Sequence, residues 1–407
     1  MQPLDDKQLW TLLAEKDKEL AEKDKELAEN ARQIAELSEL VKQDNKFWIT
    51  DAGKQRHTSG LPPDMVLMME TMDRIIGDDD TLYRFTRLRR GEFEETLARF
   101  DKIIRNNPDA PHFRDDEHKK SDAGNQCMLH IRHTFLMSLM RRALNMPQFV
   151  LGEMFRIDQS TVSRYLKFVA THDDDILLVT PHNITKLIKS TETIEELKEI
   201  LPGRQGGEII PDGTLVETTR PQNSAERKKQ YSGKGKMFAI STTALTNKKS
   251  YVVGITDSRE GSRHDITVFR ENMPDFGTWL DKMQNDSTPK AERIQIVGDS
   301  GYQGLKKYFA GVDERVPYRK PKNKELPKTK RAYNRAHSKR RIKVENVFAH
   351  VKNWTRISGR YDGTTQEFND DFNAICGMYN MRKMHRDGTY HIWKDKILHM
   401  KASCIET

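Results

Sequence analysis

Cysteine is scarce in this chain. Three occur in 407 residues, Cys127, Cys376 and Cys404, far apart and outside any Cys-x-x-Cys or Cys/His spacing, which argues against a disulfide framework and a zinc finger. Long apolar runs are also missing: no stretch of eighteen apolar residues appears, so no transmembrane helix is expected. The first residues, MQPLDDKQ, lack a signal-peptide pattern, and the expectation is an intracellular protein, cytoplasmic in a prokaryote or nuclear in a eukaryote. Apolar residues make up only 36% and mean hydropathy is −0.80, so part of the chain must be solvated helix or loop.

What the chain has instead is positive charge. Its net charge is +8, with Lys and Arg clustered, which favours a polyanionic partner. The length is enough for two to four domains and at least one sizeable core.

The organisation changes along the chain. AEKDKEL at 14–20 recurs at 21–27, and Leu13, Leu20, Leu27, Ile34 and Val41 fall seven apart, predicting a dimeric coiled coil over 7–45. Asp17, Asp24 and Ser38 are poor seam residues, so a single solvated helix stays open as an alternative. Residues 46–64 read as a linker by their Gly and Pro, and 65–170 as an all-helical domain. Within it, 146–169 has the pattern of a helix-turn-helix: Val150, Leu151 and Gly152 precede a turn over 155–158, and Val162, Leu166 and Val169 form the inner face of a second helix. Gln159, Ser160, Ser163 and Arg164 are then left outside, where they suit phosphate and base-edge contacts. An ordinary helical hairpin is the alternative, and Arg156 stands where glycine is common.

Residues 171–207 read as a connecting segment. Beyond them the period becomes two: GEIIPDGTLVET, MFAISTTAL, SYVVGITD and RIQIVGD are β-rich, the first three forming a meander. Helices are expected at about 334–357 and 366–383, giving an α/β domain, a mixed sheet flanked by helices, over 208–385, with a tail at 386–407.

Three acids stand out here. Asp212 lies inside the first apolar run, although Pro211-Asp212-Gly213 also reads as a turn. Asp299 ends the IQIV run, where α/β folds place ligands, but a plain turn with Ser300 as cap explains it equally. Glu345 shares a helical face with Arg341 and Lys352, beside the apolar stripe of Val344, Phe348 and Val351; a surface ion-pair ladder is the alternative. Together they are hard oxygen donors of the kind preferred by Mg²⁺ or Mn²⁺. Two basic stretches adjoin them, RKKQYSGKGK at 227–236 with Lys234 and Lys236, and 315–343 with Lys330, Arg331, Lys339, Arg340 and Arg341. In the second, Pro317, Pro321 and Pro327 predict an extended loop leading into the Glu345 helix; both stretches, and Lys352 with them, read as DNA contacts, or else the stretches are solvated loops or, in a eukaryote, a nuclear import signal.

Residues 208–385 resemble the DDE superfamily endonuclease domain of insertion-sequence and Harbinger-type transposases. The likeness rests on Asp212-Gly213-Thr214, Arg220-Pro221, Tyr231 to Lys234, Gly261 to Asp265, Gly298 to Gly304, and Arg341 to Lys352. It implies an RNase H-like fold with Asp212, Asp299 and Glu345 as catalytic carboxylates, Asp265 as a further metal ligand, and two divalent ions, Mg²⁺ or Mn²⁺. His264 beside Asp265 is either a proton-transfer group or structural. Some relatives carry a Tyr three residues before Arg341, where this chain has Ser338. The resemblance further implies double-stranded DNA as partner, cleavage at transposon ends and joining of the freed 3′-hydroxyl to target DNA. A homodimer through the coiled coil, with or without an accessory protein, fits holding two ends at once; a host-adopted DNA-binding regulator is the alternative.

Overall fold

The computed structural model describes residues 63–107, 110–111, 129–202, 207–272, 288–289, 293–309, 312–322 and 325–403. The expected coiled coil at 7–45 lies outside them, as does the linker up to residue 62.

The helical region opens with α1 (Pro63–Gly77), whose Met65, Met68, Met69, Met72 and Ile75 recur at helical spacing and are buried. α2 (Asp79–Thr86) follows at once because the Asp78 carboxylate accepts from the Thr81 amide at 2.8 Å and caps it. α3 (Arg90–Asn106) and α4 (Ile131–Leu144) complete the first layer; α4 is buried on all sides and is the centre of the region. The short α5 (Gln148–Phe155) and α6 (Gln159–Thr171) meet at a turn in which Arg156 adopts the left-handed conformation, φ 53°. Gly152 is required there, since a Cβ would sit 2.8 Å from the Ile157 carbonyl oxygen. Val162, Tyr165 and Val169 form the inner face of α6, and Leu166 is only half-buried.

The segment expected to be a connector is a packed layer. It contains α7 (Asp173–Ile176), α8 (Pro181–Lys189) and α9 (Ile194–Ile200); Ile184, Leu187 and Ile188 of α8 are buried, and Thr185 donates to the Val253 carbonyl in the sheet at 3.1 Å.

The sheet is mixed. β1 (Glu208–Glu217) runs antiparallel to β3 (Met237–Asn247), which follows α10 (Ser224–Gln230) and β2 (Tyr231–Ser232). β4 (Val252–Ile255) and β5 (Arg259–Glu260) both pair with β3, so the expected meander of the first three apolar runs is present. After α11 (Asp265–Asn272) the chain returns as β6 (Gln295–Val297), parallel to β1, and β7 (Asp313–Arg315) extends that parallel edge. The spatial order is β2-β3-β1-β6-β7, which puts β1 at the centre.

Helices cover the sheet. α12 (Lys328–Val351) begins earlier than its sequence suggests: Pro327 stands just before the first turn, where a proline costs no hydrogen bond, so the cations from Lys328 onward are helical rather than on an extended loop. α13 (Thr355–Ser358) leads to α14 (Thr365–Arg386), which starts with a capping box between Thr364 and Glu367. The expected tail also folds: α15 (Tyr390–Ser403) buries Trp393 and Ile397, with the Trp393 ring edge-on to Tyr251 at 5.7 Å.

Helical and sheet regions share one continuous apolar core from Met65 to Met400. Where they meet, Arg142 of α4 bonds both Asp173 oxygens (3.0 and 2.6 Å) and Asp371 of α14 (3.1 Å), and Arg356 of α13 grips Asp371 at 2.8 Å. Asn380 of α14 accepts from the Val252 amide and donates to the Val252 and Val179 carbonyls, tying sheet edge to helical layer. No helix among the described residues is long and apolar enough to cross a membrane.

Candidate active site

The central strand supplies the first acid. Asp212 lies midway along β1, paired in register with Ala244 of β3, so the ladder to β3 holds its backbone, while β6 pairs with β1 at Glu208 and Ile209. Its side chain is 20% exposed, and one oxygen accepts from Nη2 of Arg341 at 2.8 Å. That carboxyl is pushed up to about 6, first by burial; Asp299, Asp265 and Glu345 add to the rise and only Arg341 opposes it.

Asp265 approaches from the other side as the first residue of α11. Its approach depends on Gly213: a Cβ there would lie 2.7 Å from Asp265 Oδ1. Burial raises this carboxyl as well, the Lys234 ammonium counteracts that, and the neighbouring Asp299 charge raises it further. Asp299 follows β6, where the parallel edge ends, and its Oδ1 accepts from the Gly301 amide at 2.7 Å, so it caps the 3₁₀ turn Ser300–Tyr302. The turn cap is thus Asp299 itself rather than Ser300, and capping and membership of the acid cluster are compatible in one side chain. At Gly301 an added Cβ would stand 2.9 Å from Asp299 Oδ1 and 3.7 Å from Asp265 Oδ2, which shows how closely these two carboxylates face the same small space. Glu345 comes from α12, is exposed, and lies near enough for its charge to act on Asp212.

Four acids from β1, the β6 end, α11 and α12 therefore gather with too little positive charge to balance them. Their donors are all oxygen, the chemistry of Mg²⁺ or Mn²⁺ sites, and the Asp212 carboxyl, raised first by burial, is raised further by the other three acids. The residues present fit such an ion, although among the described residues no three acid, His or Cys side chains already enclose a common point.

Some neighbours escaped sequence reasoning. Tyr302, fully buried beneath the acids with its hydroxyl 3.5 Å from Thr243 Oγ1, is raised well above the ordinary phenol range by burial and by the charges of Asp265, Asp212 and Asp299. Its place as the last residue of the turn capped by Asp299 was the available signal. His337, a buried residue on the α12 face toward the sheet, has a ring nitrogen 3.1 Å from the Arg315 carbonyl oxygen.

The expected DNA contacts divide. Lys330, Arg331 and Lys339 are exposed on α12, Lys352 closes its end, and Lys234 and Lys236 occupy the turn between β2 and β3. Arg340 and Arg341 differ: Arg340 turns to the starts of β1 and β6, bonding Glu208 and, at 2.7 Å, Gln295, while Arg341 turns to Asp212 with its Nε buried and without a partner among the described residues. Helical period explains the split, since successive residues point about 100° apart and these two fall on the buried flank. Gln159, Ser160, Ser163 and Arg164 are all exposed on α6. His264 is exposed beside Asp265.

Residues 211–380 match the family described as DDE superfamily endonuclease. A probable transposase for insertion sequence element IS702 from Microchaete diplosiphon is 28% identical over 195 residues, 46% of this chain and 64% of that protein, so the chain spans less than two thirds of this relative's length. No solved structure matches. With the acids already gathered around β1, the match makes residues 211–380 of this chain a DDE superfamily endonuclease domain.

Proposed function

We propose that the chain is a DNA transposase that cleaves phosphodiesters at the ends of a mobile element and joins the freed 3′-hydroxyl to target DNA. The observation that carries this reading is the gathering of Asp212, Asp265, Asp299 and Glu345, in which Asp265 approaches β1 at Gly213 and faces Asp299 across Gly301, while the charges of Asp299, Asp265 and Glu345 all act on Asp212. In this reading the domain is RNase H-like, and Asp212, Asp299 and Glu345 are its catalytic carboxylates.

Two divalent ions, Mg²⁺ or Mn²⁺, held by those four acids would supply a nucleophilic water and neutralise the leaving oxygen. The protein's own part is placement. β1 holds Asp212 rigidly, the turn cap fixes Asp299, and Arg341 counters the charge of Asp212. Lys234, Lys236, Lys330, Arg331, Lys339 and Lys352 would neutralise phosphates along the DNA, making binding salt-dependent. The exposed face of α6, with Gln159, Ser160, Ser163 and Arg164, would enter the major groove as the second helix of a helix-turn-helix. Dimerisation through residues 7–45, with or without an accessory protein, would let one assembly hold both element ends.

Purified protein should nick supercoiled DNA with Mn²⁺ or Mg²⁺. Asp299→Ala should lower the rate on the order of 10²–10³-fold, as when one transition-state charge partner is removed. Nicking by Asp299→Ala at the wild-type rate sinks the catalytic assignment; DNA binding with no nicking by wild type favours the regulatory reading.

A further inference from the structure

Outside the acid cluster, one surface aromatic is held more firmly than an exposed side chain needs. Tyr318 is 47% exposed. Its backbone is nonetheless clamped: the Tyr318 amide donates to Asn334 Oδ1 at 2.9 Å, and Asn334 Nδ2 donates to the Tyr318 carbonyl at 3.0 Å. Pro317 and Pro321 stiffen the same strip on either side. The Tyr333 ring stands edge-on to it at 5.1 Å, and the Lys330 ammonium lies 4.9 Å from its centroid. The next residue ties the strip to the acids, for Arg319 Nη2 donates at 2.9 Å to the carbonyl of Ser300, the neighbour of Asp299.

A rigid exposed ring, set among Arg319, Lys320, Lys322 and Lys330 and anchored beside a phosphodiester-cutting site, has the chemistry of a nucleobase platform. Cations alone hold a backbone; a fixed ring adds a face for an unstacked base, and pre-ordering it removes part of the entropy lost on binding. We infer that Tyr318 stacks against an unpaired base of the DNA strand next to the scissile phosphate, so that the protein prefers DNA opened at that point over a fully paired duplex. The inference rests on the proposed DNA function and adds a specificity residue to it.

The full chain, in buffer with EDTA so that no cutting occurs, would be titrated into two DNA duplexes, one carrying a single unpaired 2-aminopurine and one fully matched. Wild type should bind the opened duplex roughly tenfold more tightly and change the 2-aminopurine fluorescence, as expected of one base–aromatic stack. Tyr318→Ala should lose both effects while keeping its affinity for the matched duplex, and Tyr318→Phe should keep both, because the ring and not the hydroxyl stacks. Equal binding of the two duplexes by wild type, or a Tyr318→Ala protein that still prefers the opened one, overturns the inference and leaves the DNA function standing. Failure of wild type to bind either duplex overturns the DNA function and the inference with it.

Discussion

Asp212 is the residue whose burial works against stability. Its carboxyl is raised from 3.8 to about 6 by burial and like-charged neighbours, so the folded state binds a proton more tightly than the unfolded state. Unfolding then releases protons between about pH 4 and pH 6, and stability without metal falls as pH rises through that window. Above it the penalty is fully present. Asp212→Asn should therefore unfold at higher denaturant concentration than wild type at pH 7, by on the order of 1–3 kcal/mol, and the gain should shrink toward pH 4.5. Denaturant unfolding of both proteins in EDTA at the two pH values checks this; a gain independent of pH would show that the carboxyl is not raised. The acids at 212, 299 and 345 were legible from their places in strand-end and helix patterns. The charge coupling among them was not, because it depends on distances between segments up to 133 positions apart in sequence.

At the scale of elements, the site is made by close approach of α11 to β1. Gly213 is where they touch, and Gly213→Ala would drive a methyl group against Asp265 Oδ1. The obstructing atom ends a short side chain that can swing away, so the thermal midpoint should change little. The carboxylate would be misplaced, and nicking should fall roughly 10–100-fold; unchanged nicking would show that Asp265 has no part in the site. The strands and the two long C-terminal helices could be read from periodicity, while element ends could not. α12 starts six residues before its expected position because Pro327, read as a breaker, serves as the residue before its first turn. α8 and α15 were read as connector and tail since neither sequence announces which neighbour will cover its apolar face.

For the whole molecule, the helical layer packs into one body with the sheet domain rather than standing apart from it. Arg142 is 5% exposed and contacts the buried Asp173 of α7 and the partly buried Asp371 of α14 across the junction. Arg142→Ala takes the guanidinium away from the buried Asp173, while Asp371 keeps Arg356, and should cost about 3–5 kcal/mol. Because the core is continuous, helical content by circular dichroism and the fluorescence of a variant that keeps Trp393, packed edge-on to Tyr251, as its one tryptophan should lose stability together. A shift in one signal alone would mean that the two regions unfold independently.

The sequence by itself determined the kinds of element, the basic surface and the three acids offered as a site, since periodicity, charge and short motifs act over a few residues. Tertiary structure decided which cations face the acids and which face solvent, that Asp265 approaches β1 at Gly213, and that layers expected to be separate share one core. Those outcomes depend on which buried faces meet, and burial is a property of the packed chain rather than of any segment within it.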